Sequence, residues 1–243
     1  MRTVFGKNPV MEVLRSDKKI EKIYCLERKN KSVTDQDLID LAIEKSVSVI
    51  EVSKNKLDAL SNDGNHQGLV AIVEDYTYYA LDDVLEKARQ KSKGPFLVIL
   101  DGITDVHNFG AIIRSCECAG VDGIIIPERR SAQINDTVAK TSAGALEYIP
   151  IIRVVNINAT IDDLKNKGFW IYGADMNGDK AYYSEKYDGS VALVIGGEGK
   201  GISRLTREKC DTIVEIPMYG RINSLNASCA ATILIYEVIR QRG

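Results

Sequence analysis

After Pro95 the chain settles into a rhythm that few architectures accommodate. FLVILD (96–101), GIIIP (123–127), IPIIRVV (149–155), FWIYGA (169–174), VALVIGG (191–197) and TIVEIP (212–217) are near-continuous apolar runs. Helical patterns lie between several of them, at 109–119, 160–167 and 202–209, and a longer one closes the chain from about Leu225 to Arg240. Continuous apolar strands need cover on both faces, and strands alternating with helices pair in parallel. The expected fold is therefore α/β, with a parallel sheet clothed by helices. In the last helix Ala227, Ala230, Ala231, Leu234, Ile235 and Val238 recur on one stripe, and Arg240 and Arg242 suit its C-terminal dipole.

Residues 1–75 read as a separate small α/β module. Asn8-Pro9 opens an amphipathic turn through Val10, Val13 and Leu14, while KIYCL (22–26), VSVIEV (47–52) and GLVAIV (68–73) are strand candidates. Thr34, with Asp37 three residues on, suits a helix N-cap before Leu38, Ile39, Leu41 and Ala42. Residues 76–95 carry Tyr76, Tyr78 and Tyr79, then a helix-like LDDVLEKARQKSKG halted at Gly94-Pro95. They are assigned as a linker whose tyrosines pack at a domain junction, leaving 96–243 as the larger domain.

No stretch of eighteen apolar residues occurs, so no membrane association is expected, and the N-terminus lacks the pattern of a secretory signal. Five scattered cysteines, an odd number, suit free thiols in a reducing, cytoplasmic compartment. Cys116 and Cys118, two apart on a helix, point to different faces and make a poor metal pair. The formal charge of −2 does not announce nucleic acid, so any grip on phosphates must be local. The candidate patches are Arg28, Lys29 and Lys31; Lys54 and Lys56; Arg129 and Arg130; and Arg240 and Arg242. Each is more often a solvated surface run than a binding site.

Ligands of open parallel sheets bind beyond the carboxyl ends of the strands. Three loops with unusual residues fall at that edge. DGITDVHNFGAIIRS follows the first strand and places Asn108, Gly110 and Arg114 in an N-x-G-x-x-x-R pattern. GGEGKGIS (196–203) follows VALVI, and IPMYGRINSLNAS (216–228) leads into the last helix. Glycines after a strand allow close backbone approach to a ligand, or serve a tight turn with positive φ. Neither the dinucleotide fingerprint nor the P-loop spacing is present.

In order and wording these loops resemble the three motifs of the SpoU (TrmH-like) family of RNA ribose 2′-O-methyltransferases, within the SPOUT superfamily. The resemblance runs from about Phe96 to the C-terminus and includes ERRSAQINDTVAKTSAGALEYIPI (128–151). FGKNPVMEVL and HQGLVAIV (66–73) resemble the family's N-terminal substrate-binding domain, and within the family the chain looks closest to RlmB-like enzymes, which methylate a guanosine of 23S ribosomal RNA. The resemblance implies a deep trefoil knot, a homodimer, and S-adenosylmethionine as cofactor. By carry-over, Gly196, Ile216 and Leu225 contact the cofactor through backbone groups, and Gly197, Gly199, Met218 and Ser224 line the same pocket. Ile216 and Leu225 also read as strand-end core. Arg114 is implied as the catalytic residue, supported by Asn108, Glu198 and Asn226. Asn108 and Asn226 suit orienting a ribose or fixing loop geometry, and Asn226 also suits a helix N-cap. Glu198 suits holding Arg114 or Asn226. No metal is required, because displacement at a sulfonium methyl needs alignment rather than a Lewis acid. Two other readings stay open at this point: a transfer-RNA enzyme of the same family, and a non-catalytic RNA-binding assembly protein.

Overall fold

The computed structural model describes residues 1–27, 33–199 and 201–243, with 33–35 described by backbone alone. The Arg28, Lys29 and Lys31 patch lies outside the described residues. In chain order the elements begin β1 (Arg2–Phe5), α1 (Lys7–Arg15), β2 (Ile20–Leu26), α2 (Val33–Glu44), β3 (Val49–Val52), α3 (Lys54–Leu60), β4 (Leu69–Val73) and α4 (Leu81–Ala88). They continue with β5 (Phe96–Asp101), α5 (Val106–Cys118), β6 (Gly123–Pro127), α6 (Asp136–Thr141), β7 (Ile151–Val154), α7 (Ile157–Asn166) and β8 (Trp170–Ala174). The last are β9 (Lys180–Ala181), β10 (Val191–Gly196), α8 (Arg204–Lys209), β11 (Thr212–Glu215) and α9 (Ala227–Arg242).

These elements form two compact units. One comprises Met1–Thr77 with Ile134–Tyr148, the other Tyr78–Gln133 with Ile149–Gly243. This division differs in two places from boundaries at 75 and 95. Residues 78–95 are not a free linker: Val84 and Leu85 of α4 are buried in the core of the second unit, with Tyr79 and Leu81 packed against it. The segment 134–148, expected in the larger domain, belongs to the first unit. There α6 packs on β1, Arg2 donates to buried Glu147 at 2.6 Å, and the Tyr148 hydroxyl donates to Glu12 at 2.6 Å. These pairings join residues more than a hundred positions apart, so no local pattern announces them.

In the first unit a four-stranded sheet runs in the order β1-β4-β2-β3, parallel only between β2 and β3. Val10, Val13 and Leu14 of α1 and Leu38 and Ala42 of α2 fill one cluster against it, and Leu57 of α3 joins Phe5 and Val70 in another. Pro9 sits in the first turn of α1, where its missing N–H removes no helical bond. The α2 helix already begins at Val33, so Thr34 stands inside its first turn rather than ahead of it; its side chain is outside the described set. Lys54 and Lys56, read as a charge patch, stand exposed on α3. The two N-terminal motifs meet here: the Gly6 amide donates to the Leu69 carbonyl, and the Lys7 amide to Gln67 Oε1 at 3.0 Å.

The second unit is built on seven strands, all parallel, in the order β7-β6-β5-β10-β8-β11-β9. Each of the six predicted runs supplies a strand; the seventh, β9, is two residues long and carries no pattern. Leu97, Ile99, Ala192 and Val194 face a core completed by Ile157, Ile161 and Leu164 of α7. Their neighbours in sequence are also fully buried, as a sheet covered twice requires. The α5 and α9 helices pack on each other, and Ser115 Oγ lies 2.7 Å from Thr232 Oγ1. Cys116 is buried and Cys118 exposed, and burial pushes the Cys116 thiol far above its usual pKa. Among the described residues no helix is long and apolar enough to cross a membrane.

Candidate active site

Strand order decides where the site forms. From β5 the chain builds outward through β6 and β7, then returns to place β10 and β8 on the other side. Parallel sheets open a crevice at such a reversal. Beyond the carboxyl ends of β8, β10 and β11 lies a cavity of about 420 Å³, within the second unit. All seven cofactor candidates line it: Gly196, Gly197 and Gly199 from the second loop, and Ile216, Met218, Ser224 and Leu225 from the third. Leu234 of α9 contributes to an apolar wall.

The glycines answer to different demands. A Cβ on Gly196 would overlap the backbone of Gly201 and Ile202, and one on Gly197 would overlap the Gly102 carbonyl. Those two are glycine because protein backbone, not only a ligand, passes against them. Gly199 and Gly201 have φ of 76° and 62°, which L-residues rarely adopt. Asp101 ties the first loop to the second. Its carbonyl accepts the Gly197 amide at 3.0 Å and its carboxylate the Ser203 amide at 2.8 Å.

Asn108, Glu198 and Asn226 meet at one point on the rim. Asn108 Nδ2 donates to Glu198 Oε1 at 2.8 Å, and Asn226 Nδ2 donates to Asn108 Oδ1 at 2.8 Å and to the same Glu198 oxygen at 3.0 Å. Asn226 Oδ1 caps α9, accepting the amides of Ser228 and Cys229. Both alternatives read for Asn226, cap and loop brace, therefore hold together. With both amide hydrogens engaged, Asn226 has no donor left for a substrate. Asn108 keeps one N–H, and Glu198 keeps Oε2. Asn108 is itself held by Asp105, whose side chain caps α5 by accepting the Asn108 backbone amide at 2.8 Å. Of the two partners read for Glu198, the structure pairs it with Asn226 and not with Arg114.

Arg114 stands apart. It lies six residues after Asn108 on α5, about 9 Å along the axis and about 120° around it. The side chain is exposed, does not line the cavity, and makes no hydrogen bond or ion pair among the described residues. The paired arginines of α9 are already committed. Arg240 grips buried Glu237 through two bonds of 2.8 Å, and Arg242 donates to the carbonyls of Tyr187, Gly94 and Gly189. Arg129 and Arg130 remain exposed.

Asp175 and Met176, just after β8, also line the cavity and escape a reading of the sequence. Asp175 ends an apolar run as Asp101 does, a signal that acquires meaning only once β8 is known to lie beside β10.

Residues 95–236 match the SpoU rRNA Methylase family, and residues 3–79 match the domain described as RNA 2′-O ribose methyltransferase substrate binding. The chain belongs to the SpoU family. It is 43% identical to the putative TrmH family tRNA/rRNA methyltransferase YacO of Bacillus subtilis, over 98% of this chain and 95% of that one. Among solved structures, this SpoU-family chain is similar to the methyltransferase AviRb of Streptomyces viridochromogenes in complex with AdoMet, with a TM-score of 0.79 and 25% identity. That match covers 99% of this chain and 89% of AviRb. The A. aeolicus TrmH/SpoU tRNA-modifying enzyme is 32% identical with a TM-score of 0.57, covering 67% of this chain and 84% of its own. The SpoU-family chain is thus an RNA methyltransferase by family.

Proposed function

We propose that this protein methylates a ribose 2′-hydroxyl of RNA with S-adenosylmethionine, and that its target is a guanosine of 23S ribosomal RNA. The observation that carries the reading is the Asn108–Glu198–Asn226 group on the rim of a strand-end cavity. The cavity volume, about 420 Å³, falls in the usual range of about 300–1,000 Å³ for small-molecule sites. Its make-up fits the cofactor: Ile216 and Leu225 offer apolar surface to an adenine, and the glycine loop offers backbone groups.

When bound, S-adenosylmethionine supplies an electrophilic sulfonium methyl group. A ribose hydroxyl is a weak acid, so its oxygen must shed a proton or have its developing charge stabilised. Arg114 is unsuited to a free-standing base, since a guanidinium stays protonated below a pH of about 12. Its role in this reading is to position an RNA phosphate and stabilise the alkoxide, and its exposed, uncommitted donors suit that task. Glu198 Oε2 and the spare Asn108 N–H are the groups able to meet a ribose, while Asn226 acts by holding them. Because Arg114 lies outside the cavity of its own chain, the reading includes a homodimer in which one copy's Arg114 serves the other copy's cavity. The family's knot and a cytoplasmic location belong to the same reading.

The test is to map ribose methylation across ribosomal and transfer RNA from cells with and without the protein. Loss of one guanosine mark in 23S ribosomal RNA is the expected result. Loss confined to transfer RNA would move the target there, a second reading favoured by the similarity to the A. aeolicus enzyme. With purified protein, Arg114→Lys should keep partial activity if a point charge suffices, and little if planar bidentate contact is needed. Full activity in Arg114→Ala would remove Arg114 from the mechanism. No cofactor binding by calorimetry, with no mark lost, would favour a non-catalytic RNA-binding protein.

A further inference from the structure

Asp175 and Glu198 are the two carboxylates among the described residues lining the cavity. Asp175 stands directly after β8, and its side chain is only 15% exposed. One oxygen is committed to protein. Oδ1 accepts the Asn177 amide at 2.9 Å and lies 3.0 Å from Arg207 Nη1. Arg207 Nη2 in turn donates to the Asn177 carbonyl at 2.8 Å, so turn and guanidinium together lock the carboxylate. The other oxygen, Oδ2, accepts no hydrogen bond among the described residues. It faces Gly201, where an added Cβ would stand 3.2 Å from it, so the absence of a side chain there keeps its approach open.

Oδ2 thus opens on the cavity as a fixed acceptor with no protein donor, available to a ligand that brings one. Arg207 indicates which kind. It already neutralises the carboxylate, so an ammonium brought to Oδ2 would meet a guanidinium close by. A neutral hydroxyl meets no such repulsion, and a fixed carboxylate at a strand end is a general means of reading ribose hydroxyls. We propose that Asp175 determines specificity for the nucleoside end of the cofactor, Oδ2 accepting a hydrogen bond from a ribose hydroxyl, with Arg207 as a positioning residue. The inference rests on S-adenosylmethionine occupying the cavity and is independent of which RNA is methylated.

Calorimetry on the full-length protein tests it, with S-adenosylhomocysteine and 5′-methylthioadenosine as probes. The second keeps the ribose but lacks the amino-acid portion. Asp175→Ala should weaken both by roughly ten- to hundredfold. A loss for S-adenosylhomocysteine alone would mean that Asp175 holds the ammonium, overturning the proposal, as would unchanged binding of both. Should Asp175→Ala fail to fold, wild-type protein is titrated with the 2′-deoxy and 3′-deoxy forms of 5′-methylthioadenosine. At least one should bind roughly tenfold more weakly than its parent; equal affinity of all three overturns the proposal. Wild-type protein that binds no adenosine compound would instead sink the cofactor reading, and this inference with it.

Discussion

Asn226→Asp separates the two tasks that the structure gives to one side chain. Aspartate keeps the oxygen that caps α9 and is as good an N-cap as asparagine. What changes is the other end, where Nδ2 becomes an oxygen facing Glu198 Oε1 across a distance now 3.0 Å. Two unit charges about 3 Å apart repel by about 1.4 kcal/mol at the dielectric of water and about 5.5 kcal/mol at an effective value of 20. Both residues are exposed, which favours the lower end. Two hydrogen bonds are lost as well, each contributing about 0.5–1.5 kcal/mol. Together these predict a destabilisation of about 2.4–4.4 kcal/mol at pH 7, or a drop of roughly 5–18 °C in melting temperature. Trp170, the chain's single tryptophan, lies on β8 in the same unit, so its fluorescence reports the unfolding. Repulsion raises the carboxylate pKa values in the folded variant, so it binds protons more tightly than its unfolded chain. The gap to wild type should therefore narrow as pH falls from about 5 to 3. Adding Glu198→Gln should close most of it at pH 7. A variant that melts with wild type at pH 7, or a gap unchanged at low pH, would refute the account of the rim.

Two further outcomes follow from the same geometry. Gly196→Ala should abolish cofactor binding and lower stability by about 3 kcal/mol or more, because the new methyl overlaps the Gly201 and Ile202 backbone. Gly199→Ala has open space and meets only the penalty for positive φ, about 1–2 kcal/mol; denaturation of the two variants side by side checks the order. The Arg240 guanidinium beside Glu237 holds its carboxyl below the usual carboxylate range, despite the opposing effect of burial. That pair stabilises the protein above the ordinary carboxylate pKa and loses its effect as pH falls below about 4. Glu237→Gln should accordingly melt lower than wild type at pH 7 and converge with it in acid, as followed by scanning calorimetry.

The strands of the larger unit were legible because burial on both faces leaves a local trace. FLVILD, GIIIP and VALVIGG are apolar but for the strand-end Asp101, and each became a strand within two residues of its predicted bounds. Where burial is one-sided or the element is short, the trace fades. β1 is a four-residue edge strand, and α3 buries only Leu57 beneath a charged surface. The apolar stripe of α9 was visible, yet it conceals Glu237, which is buried because Arg240 and Gln241 satisfy it. Glycine and asparagine serve many turns, so the three loop motifs could be read only because together, and in order, they resemble those of one family. Their division of labour could not, since it depends on which amide hydrogens are already spoken for.

Taken by itself, the order of residues determined the class of fold, the strand ends that carry chemistry, and the family. The first two follow from short-range patterns of apolarity and glycine, and the family from the resemblance of three loops to its motifs. Tertiary structure alone decided that β10 lies between β5 and β8, and with it that Asp175 shares a cavity with Gly196 and Leu225. It alone joined residues 134–148 to the N-terminal unit, saturated Asn226, and left Arg114 exposed outside the cavity. The physical reason is common to all of these. Strand order and side-chain pairing are set by contacts between residues about twenty to one hundred and fifty positions apart, whose free energies no local segment of the chain encodes.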